Sequence, residues 1–447
     1  MDVLWEVCAV SASTGIDGRR GKARNGSEVE CMTDRIKWFA GVDWGSEKHR
    51  ACLLDSSGKI VDERDFTHDG AGLASLCDWL LKKTGAQPRE IGVAIETPRG
   101  PVVETLLERG FQVHSINPKQ LDRFRDRFTV AGAKDDSRDA HALADALRTD
   151  RHALRELSVD DPVVIELREW SRIGEDLEQE RNRLTNRMRE QLWRYYPQAL
   201  ELTDDLGANW FLDLWSLVPT PAVAAKTKEG KLEALLKSHR IRRLDAPEVR
   251  QLLTQKPVTV APGTAEAATA HIRALVARIR LVNEQLKEVN RSLDQLCDKL
   301  APSGEDRPGQ SCEQRDVMIL RSCPGIGRIV LATLLAEAWQ PLRRRDYHAL
   351  RTLCGVAPVT RRSGKKCIVV RRLACNGRLA NAVYHWGRVA IQHDPRSRER
   401  YAAFRSRGYT HGRALRGVAD RLLGVLCTLL RKQQLFDIGH KAFAAAA

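Results

Sequence analysis

The spacing of apolar residues changes character along this chain, and each change predicts a different kind of structure. From about residue 37 the apolar positions fall in short alternating runs, the period of strands rather than helices. Residues 38–43, 49–55 and 59–67 read as three strands, with Ser56, Ser57 and Gly58 forming a tight hairpin between the last two. A helix over 70–83 follows, with Leu73, Leu76, Trp79 and Leu80 on one face. Next come a strand over 91–96, a helix over about 101–109, a strand over 111–116 and a helix begun near Pro118. A three-strand meander followed by alternating helices and strands predicts a ribonuclease H-like α/β fold. No Gly-rich phosphate loop follows the first strand, which argues against a doubly wound nucleotide-binding domain.

The period then becomes helical. In KDDSRDAHALADALR, residues 134–148, Ala140, Leu143, Ala144 and Leu147 recur at helical spacing. Asp135 and Asp136 sit where a first helical turn favours negative charge. Asp136 and Asp139 are three apart and share another face, an arrangement able to hold one divalent cation. Asp135 and Asp139, four apart, satisfy the spacing as well. An ordinary solvated first turn is an equally good local reading.

Beyond residue 150 the chain is helical and charge-rich. Ile272, Leu275, Ile279, Val282, Leu286, Val289, Leu293, Leu296 and Leu300 step by alternating threes and fours. Such a seam predicts a coiled coil or a long antiparallel helix pair. Leu167, Trp170, Leu177, Leu184, Met188 and Tyr195 form a looser stripe that pairs with it or with another subunit. Residues 301–310, rich in Pro and Gly, read as a linker. A helix–turn–helix follows around Pro324, Gly325, Ile326 and Gly327. The turn's N–H groups, with Arg321 and Arg328 on either side, suit a nucleic-acid phosphate, although a plain helical hairpin explains them equally well. The basic run Arg361, Arg362, Ser363, Gly364, Lys365 and Lys366 precedes a short strand and two closing helices. The expected organisation is a disordered extension over 1–35, with Met32 as an alternative start, and an α/β domain over 36–150. A helical coiled-coil linker domain over 151–310, a mainly helical basic domain over 311–435 and a tail over 436–447 complete it.

Composition sharpens this picture at one point. The 447 residues carry a net charge of +15. Between Arg315 and Lys432 there are 25 Lys or Arg against 6 Asp or Glu, a net of +19 that leaves the rest of the chain slightly acidic. Guanidinium pairs bidentately with phosphate oxygens, so this third of the chain is expected to bind nucleic acid. The 11 cysteines form no CxxC pair and are odd in number, which points to a reducing, cytoplasmic setting rather than to disulfides or a zinc ribbon. No apolar run approaches the length that spans a membrane, and no secretory leader is visible.

Two groups of residues carry candidate chemistry. Asp43 and Glu96 both stand at the C-terminal ends of predicted strands, where α/β sheets place ligand-binding residues. With Asp136 and Asp139 they make four carboxylates whose mutual repulsion calls for Mg²⁺ or Mn²⁺. Two such ions about 4 Å apart activate the attacking oxygen and stabilise the leaving oxygen of a phosphodiester. Ser363 is the second candidate. Its basic neighbours would clamp a phosphate, and Gly364 permits close backbone approach. On local grounds a phosphate-contacting loop is favoured over a nucleophile, and no histidine stands beside Ser363 to complete a triad.

GVDWGSEKH from Gly41, IET from Ile95 and Lys134-x-Asp136-x-x-Asp139-Ala140 together resemble the DEDD transposases of the IS one-ten insertion-sequence family, which share their signature with Piv-type DNA invertases. PGIG at Pro324, GVAP at Gly355, Ser363-Gly364 and Asn376-Gly377-Arg378-Leu379 resemble the family's second signature region. The resemblance runs from about Ile36 to Lys432. It implies a RuvC-like domain in which Asp43, Glu96, Asp136 and Asp139 are a metal-binding tetrad, selecting Asp136 over Asp135. It implies that Ser363 is a nucleophile forming a transient phosphoserine link to DNA. It further implies a composite site, commonly across subunits of a dimer or tetramer, and a bridge RNA that pairs with target and donor DNA. The first 31 residues have no counterpart in the family pattern, and Asp135 replaces its usual small polar residue. A Piv-like invertase would share every site residue, a Holliday-junction-type nuclease would use the acids alone, and an inactive nucleic-acid-binding protein would use neither.

Overall fold

The computed structural model of the chain describes residues 36–128, 135–158, 160–300, 312–364 and 366–437. The expected disorder of 1–35 and the linker at 301–310 lie outside the described residues, as do the tail beyond 437, Lys134 and Lys365. The chain divides between residues 159 and 160 into two compact units.

In the first unit, strands β1 (Trp38–Asp43), β2 (Lys48–Leu54) and β3 (Ile60–Thr67) form the meander expected from the alternation. The turn between β2 and β3 is built by Asp55, whose carboxylate accepts from the N–H groups of Ser57 and Lys59 at 2.8 and 3.0 Å. Gly58 completes that turn at φ +89°, a conformation that glycine adopts without strain. Helix α1 (Gly70–Thr84) starts where the Asp69 side chain accepts from the N–H of Gly72, and it ends at the left-handed Gly85. The order then runs β4 (Ile91–Ile95), α2 (Pro101–Glu108), β5 (Gln112–Ser115), α3 (Pro118–Arg125), α4 (Asp136–Asp150) and β6 (Arg155–Glu156). The six strands lie in the order β3-β2-β1-β4-β5-β6. β1, β4 and β5 are mutually parallel neighbours and the other pairings are antiparallel. The two-residue β6 was not anticipated, being too short to show alternation.

Alternation along the strands makes the sheet two-faced. Ala40, Val42, Ile91, Val93 and Ile95 pack with α1 and α2 through Leu76, Leu80, Val102 and Leu106. On the opposite face Phe39, Cys52, Leu54 and Ala94 pack with Leu121 of α3 and with Ala140, Leu143 and Leu147 of α4. A buried sheet with helices on both faces is the result.

Among the described residues the second unit is helical apart from one hairpin. Its long helix α5 (Pro162–Tyr195) is followed by α6 (Asn209–Leu217), α7 (Pro221–Lys226), α8 (Glu229–Ser238), α9 (Ala246–Leu253) and α10 (Thr264–Lys299). Then come α11 (Cys312–Ser322), α12 (Arg328–Arg343), α13 (Tyr347–Leu353), the hairpin β7 (Val359–Ser363) and β8 (Lys366–Val370), α14 (Gly377–His393), α15 (Pro395–Ser406) and α16 (His411–Lys432). α5 and α10 run antiparallel: a Cβ on Gly174 would meet Val289 at 3.0 Å, while farther along α5 Glu180 pairs with Arg278, so position rises on one helix as it falls on the other. The heptad-like seam of α10 is therefore occupied within the chain. Its first half, Ile272 to Val282, shares a core with α6, α8 and α9. Its second half, Val289 to Cys297, shares another with Val164, Leu167 and helices α11 to α16. The segments expected as separate middle and C-terminal domains thus fall in one compact unit, with α10 contributing to both of its cores.

Candidate active site

Asp43 and Asp139 are placed by one close approach. Gly41 of β1 has no side chain, and a Cβ there would lie 2.0 Å from the carbonyl oxygen of Ala140 and 2.6 Å from the amide nitrogen of Ala144. Only glycine lets the α4 backbone rest directly on the strand. Asp43 lies two residues beyond Gly41 and so belongs to the same face of the sheet, while Asp139 immediately precedes Ala140 on the helix. Glu96 joins them through the sheet. β1 and β4 are parallel with Val42 opposite Ile95, so Asp43 and Glu96 are successive to paired residues on strands about 4.8 Å apart. Gly92 and Ala94 of β4 face α3 and α4, and Glu96 continues that alternation.

Asp139 is only 1% exposed, and a buried carboxylate needs a positive partner. Arg125, the last residue of α3, provides it: Nε and Nη2 donate to the two carboxylate oxygens at 2.5 and 2.7 Å. The Arg125 Nη1 also donates to Asp122 at 2.7 Å. Burial opposes the Arg125 charge, but these hydrogen bonds and the nearby charges of Asp139, Asp122 and Glu96 raise its pKa above the ordinary value. Asp136, the first residue of α4, is exposed, as is the N-cap residue Asp135, whose side chain makes no capping hydrogen bond.

Asp43 and Glu96 thus lie on the sheet face that α4 covers with Asp139, and Asp136 is exposed at the start of that helix. Among the described residues no three acids, histidines or cysteines are drawn close enough together to hold a metal ion. The donor chemistry nevertheless fits Mg²⁺ or Mn²⁺: all four groups are carboxylates, hard oxygen ligands without nitrogen or sulfur among them. In this arrangement Arg125 supplies at Asp139 the positive charge that a cation would bring.

Two supporting clusters were not legible as site residues. Glu63 of β3 accepts from Ser137 Oγ at 2.7 Å and from Arg50 Nη2 at 2.9 Å, tying the start of α4 to the sheet. Burial would raise the Glu63 pKa, but hydrogen bonds from Ser137, Arg50 and Cys52 hold it below the ordinary value. Arg50 stands opposite Asp43 in the β1–β2 register. The second cluster is fully buried His49, whose Nδ1 accepts from the N–H of Gly45 in the turn after Asp43, at 3.4 Å. Its Nε2 lies 2.9 Å from Nδ1 of His68. Burial, then the charge of His68, lowers the His49 pKa, which favours the neutral imidazole.

In the second unit Ser363 ends β7 opposite Lys366, so the hairpin turns tightly at Gly364. Gly364 has φ +55°, as such turns require. Ser363 is exposed at the hairpin tip, with Arg361, Arg362 and Lys366 exposed around it. The turn around Pro324 is different. Arg321 pairs with Asp298 at 2.6 Å and Arg328 with Asp294 at 2.5 Å, both acids of α10. Gly325, at φ +85°, lies so close to α14 that a Cβ would meet the amide nitrogen of Ala390 at 2.9 Å. Pro324 accepts from the indole N–H of Trp386 at 2.9 Å. Gly327 directly precedes α12. This turn packs two helices against a third, and its arginines are already matched by carboxylates.

Comparison with known proteins follows the same division. A family profile for IS110-type DEDD proteins, described as transposase, matches residues 40–197. A second, described as transposase of the IS116/IS110/IS902 family, matches residues 317–402. A candidate transposase of the IS117 mini-circle from Streptomyces coelicolor is 33% identical, over 92% of this chain and 98% of that protein. An insertion element IS110 protein of 43.6 kDa from the same organism is 26% identical, over 91% of this chain and 96% of its own. The candidate transposase y4uE of Sinorhizobium fredii is 64% identical, over 49% of this chain and 61% of that protein.

Proposed function

The chain belongs to the IS116/IS110/IS902 family of insertion-sequence transposases, and from this we propose that it cuts and rejoins DNA through the carboxylates of its first unit and Ser363 of its second. The observation that carries the reading is the placement of Asp43 and Glu96 at the ends of adjacent parallel strands, with Asp139 brought onto the same face by the Gly41 contact. The strand order, with three antiparallel strands followed by parallel β4 and β5, supports a ribonuclease H-like, RuvC-like assignment.

In this reading Asp43, Glu96, Asp136 and Asp139 would hold Mg²⁺ or Mn²⁺, which when bound supplies positive charge and Lewis acidity at the scissile phosphate. Ser363 Oγ attacks phosphorus. A serine–phosphorus ester forms, the bond from phosphorus to one deoxyribose oxygen breaks, the serine proton is released to solvent, and the departing oxygen is protonated. The phosphoserine ester conserves the bond, so a deoxyribose hydroxyl of another strand reverses the step and reseals the backbone. Exposure at a hairpin tip suits this role, because a phosphodiester must approach the hydroxyl in line. Arg361, Arg362 and Lys366 stabilise the negative charge that develops.

A guide RNA and assembly into a dimer or tetramer complete the proposal. They rest on the family pattern and on the net charge of +19 between Arg315 and Lys432. The test is substitution: Asp43→Ala, Glu96→Ala and Ser363→Ala each abolish strand exchange while nucleic-acid binding persists. Normal recombination by Ser363→Ala would remove the nucleophile assignment.

A further inference from the structure

The corner between α15 and α16 carries a feature that the site residues do not use. Between Pro395 and Arg421 there are eight arginines against Glu399 and Asp420. Asp420, the single acid of α16, is committed to Arg351 at 2.6 Å and to the Tyr347 hydroxyl at 2.9 Å. The corner is held rigidly. The Phe404 ring rests on α16 at Gly417, where a Cβ would lie 2.6 Å from it. Tyr409 stacks on Phe404 with ring centroids 5.4 Å apart and planes within 5° of parallel. The Arg413 guanidinium lies 3.9 Å from the Tyr409 centroid, and that of Arg400 lies 5.4 Å from the Phe404 centroid. Arg405 donates to the Tyr409 carbonyl at 3.0 Å, and the Tyr401 hydroxyl lies 2.8 Å from Nδ1 of His411 at the start of α16.

These contacts order guanidinium groups without neutralising them. The Nε of Arg400 is buried with no hydrogen-bond partner. The charged neighbours acting on half-buried Arg416 are both arginines: burial first, then Arg371 and Arg413, push its pKa down. Arg371 directly follows β8 of the hairpin that presents Ser363. Folding gains nothing from crowding like charges, so their clustering on a built scaffold calls for an anion supplied from outside. The aromatic faces are covered by guanidinium planes, so what the corner offers is forks rather than stacking platforms. Planar forks held in place suit the oxygens of successive phosphates.

We propose that Arg413, pre-ordered on the Phe404–Tyr409 stack, together with Arg416 one turn along α16 and Arg371 directly after β8, forms a binding site for the phosphodiester backbone of a nucleic acid beside the Ser363 hairpin. This rests on the reading of the C-terminal region as nucleic-acid-binding and names a site separate from the turn at Pro324 and from the hairpin tip. The site reads backbone charge, and its contribution is independent of base sequence.

The experiment measures binding of the full chain to three labelled probes, a DNA duplex, a DNA single strand and an RNA hairpin, between about 50 and 200 mM KCl. Arg413→Ala and Arg416→Ala each weaken binding about tenfold and each lower the slope of log K against log salt by about one. Tyr409→Leu removes no charge, so it weakens binding with the slope unchanged, a separation that simple loss of charge would not produce. Thermal melting of each variant checks folding, and exposed Arg413 is replaceable without disturbing the core. A loss confined to the RNA probe, or to either DNA probe, supports the site and identifies its ligand. Unchanged affinity and slope in both arginine variants overturn it. Failure of the unaltered chain to bind any probe would instead remove the nucleic-acid reading beneath it.

Discussion

Asp139 and Arg125 face each other as a two-pronged pair, with both carboxylate oxygens of a buried acid taken by one guanidinium. This pair gives the buried carboxylate its positive partner. It also makes Arg125 a competitor for the same oxygens. Arg125→Gln leaves Asp139 buried and uncompensated, a change that costs about 3–5 kcal/mol when a buried pair is broken. Mg²⁺ that binds only the folded state then restores stability by mass action. The expected result is a lower Tm without metal and a larger Mg²⁺-induced rise in the variant than in the unaltered chain. Equal rises in the two proteins would show that Arg125 does not compete for the site.

The contact of Gly41 with Ala140 is a backbone contact and has no flexible side chain to yield. Gly41→Ala is expected to destabilise the chain by at least about 2 kcal/mol in urea unfolding, toward the upper end for overpacking, because α4 has to lift from β1. Gly70→Ala is the control, since nothing lies within 4 Å of a Cβ there. Similar costs for the two substitutions would contradict the role given to Gly41.

The lowered pKa of His49 makes stability depend on pH. Its folded pKa is lowered, so the unfolded chain binds the proton first as pH falls. Stability from this group is complete above the unfolded histidine value of about 6.5 and is lost as pH drops from there toward the folded value. Buried His114, lowered chiefly by burial, acts with the same sign. His49→Gln should therefore flatten the loss of stability below about pH 6.5, measured as urea midpoints across the range. An unchanged slope would assign that loss to other groups.

Much of the first unit was readable from alternation alone. The meander, its turn at Ser56 to Gly58 and the helices at Gly70 and Pro101 begin within a residue or two of where the apolar pattern places them. What period could not reveal was partnership. The α10 seam announces a packed stripe, yet only the folded chain shows α5 filling it. Arg125 lies on a separate helix from Asp139 and carries no local signal of its partner. The count of +19 over the last third also overstated the free charge there, because Asp294 and Asp298 of α10 neutralise Arg328 and Arg321 from outside the counted segment. Tyr409 and Arg413 escaped notice for the reverse reason: a stack across a helix corner has no period.

The claim that joins the two units chemically is that Ser363 becomes covalently attached to DNA. The most direct measurement is to trap the protein–DNA adduct on a substrate carrying an element end, digest it, and map the modified residue by mass spectrometry. The account predicts one phosphodiester-linked peptide containing Ser363, absent in Ser363→Ala and strongly reduced in Asp43→Ala and Glu96→Ala. Attachment at another residue, or strand exchange in Ser363→Ala with no adduct at all, would contradict it.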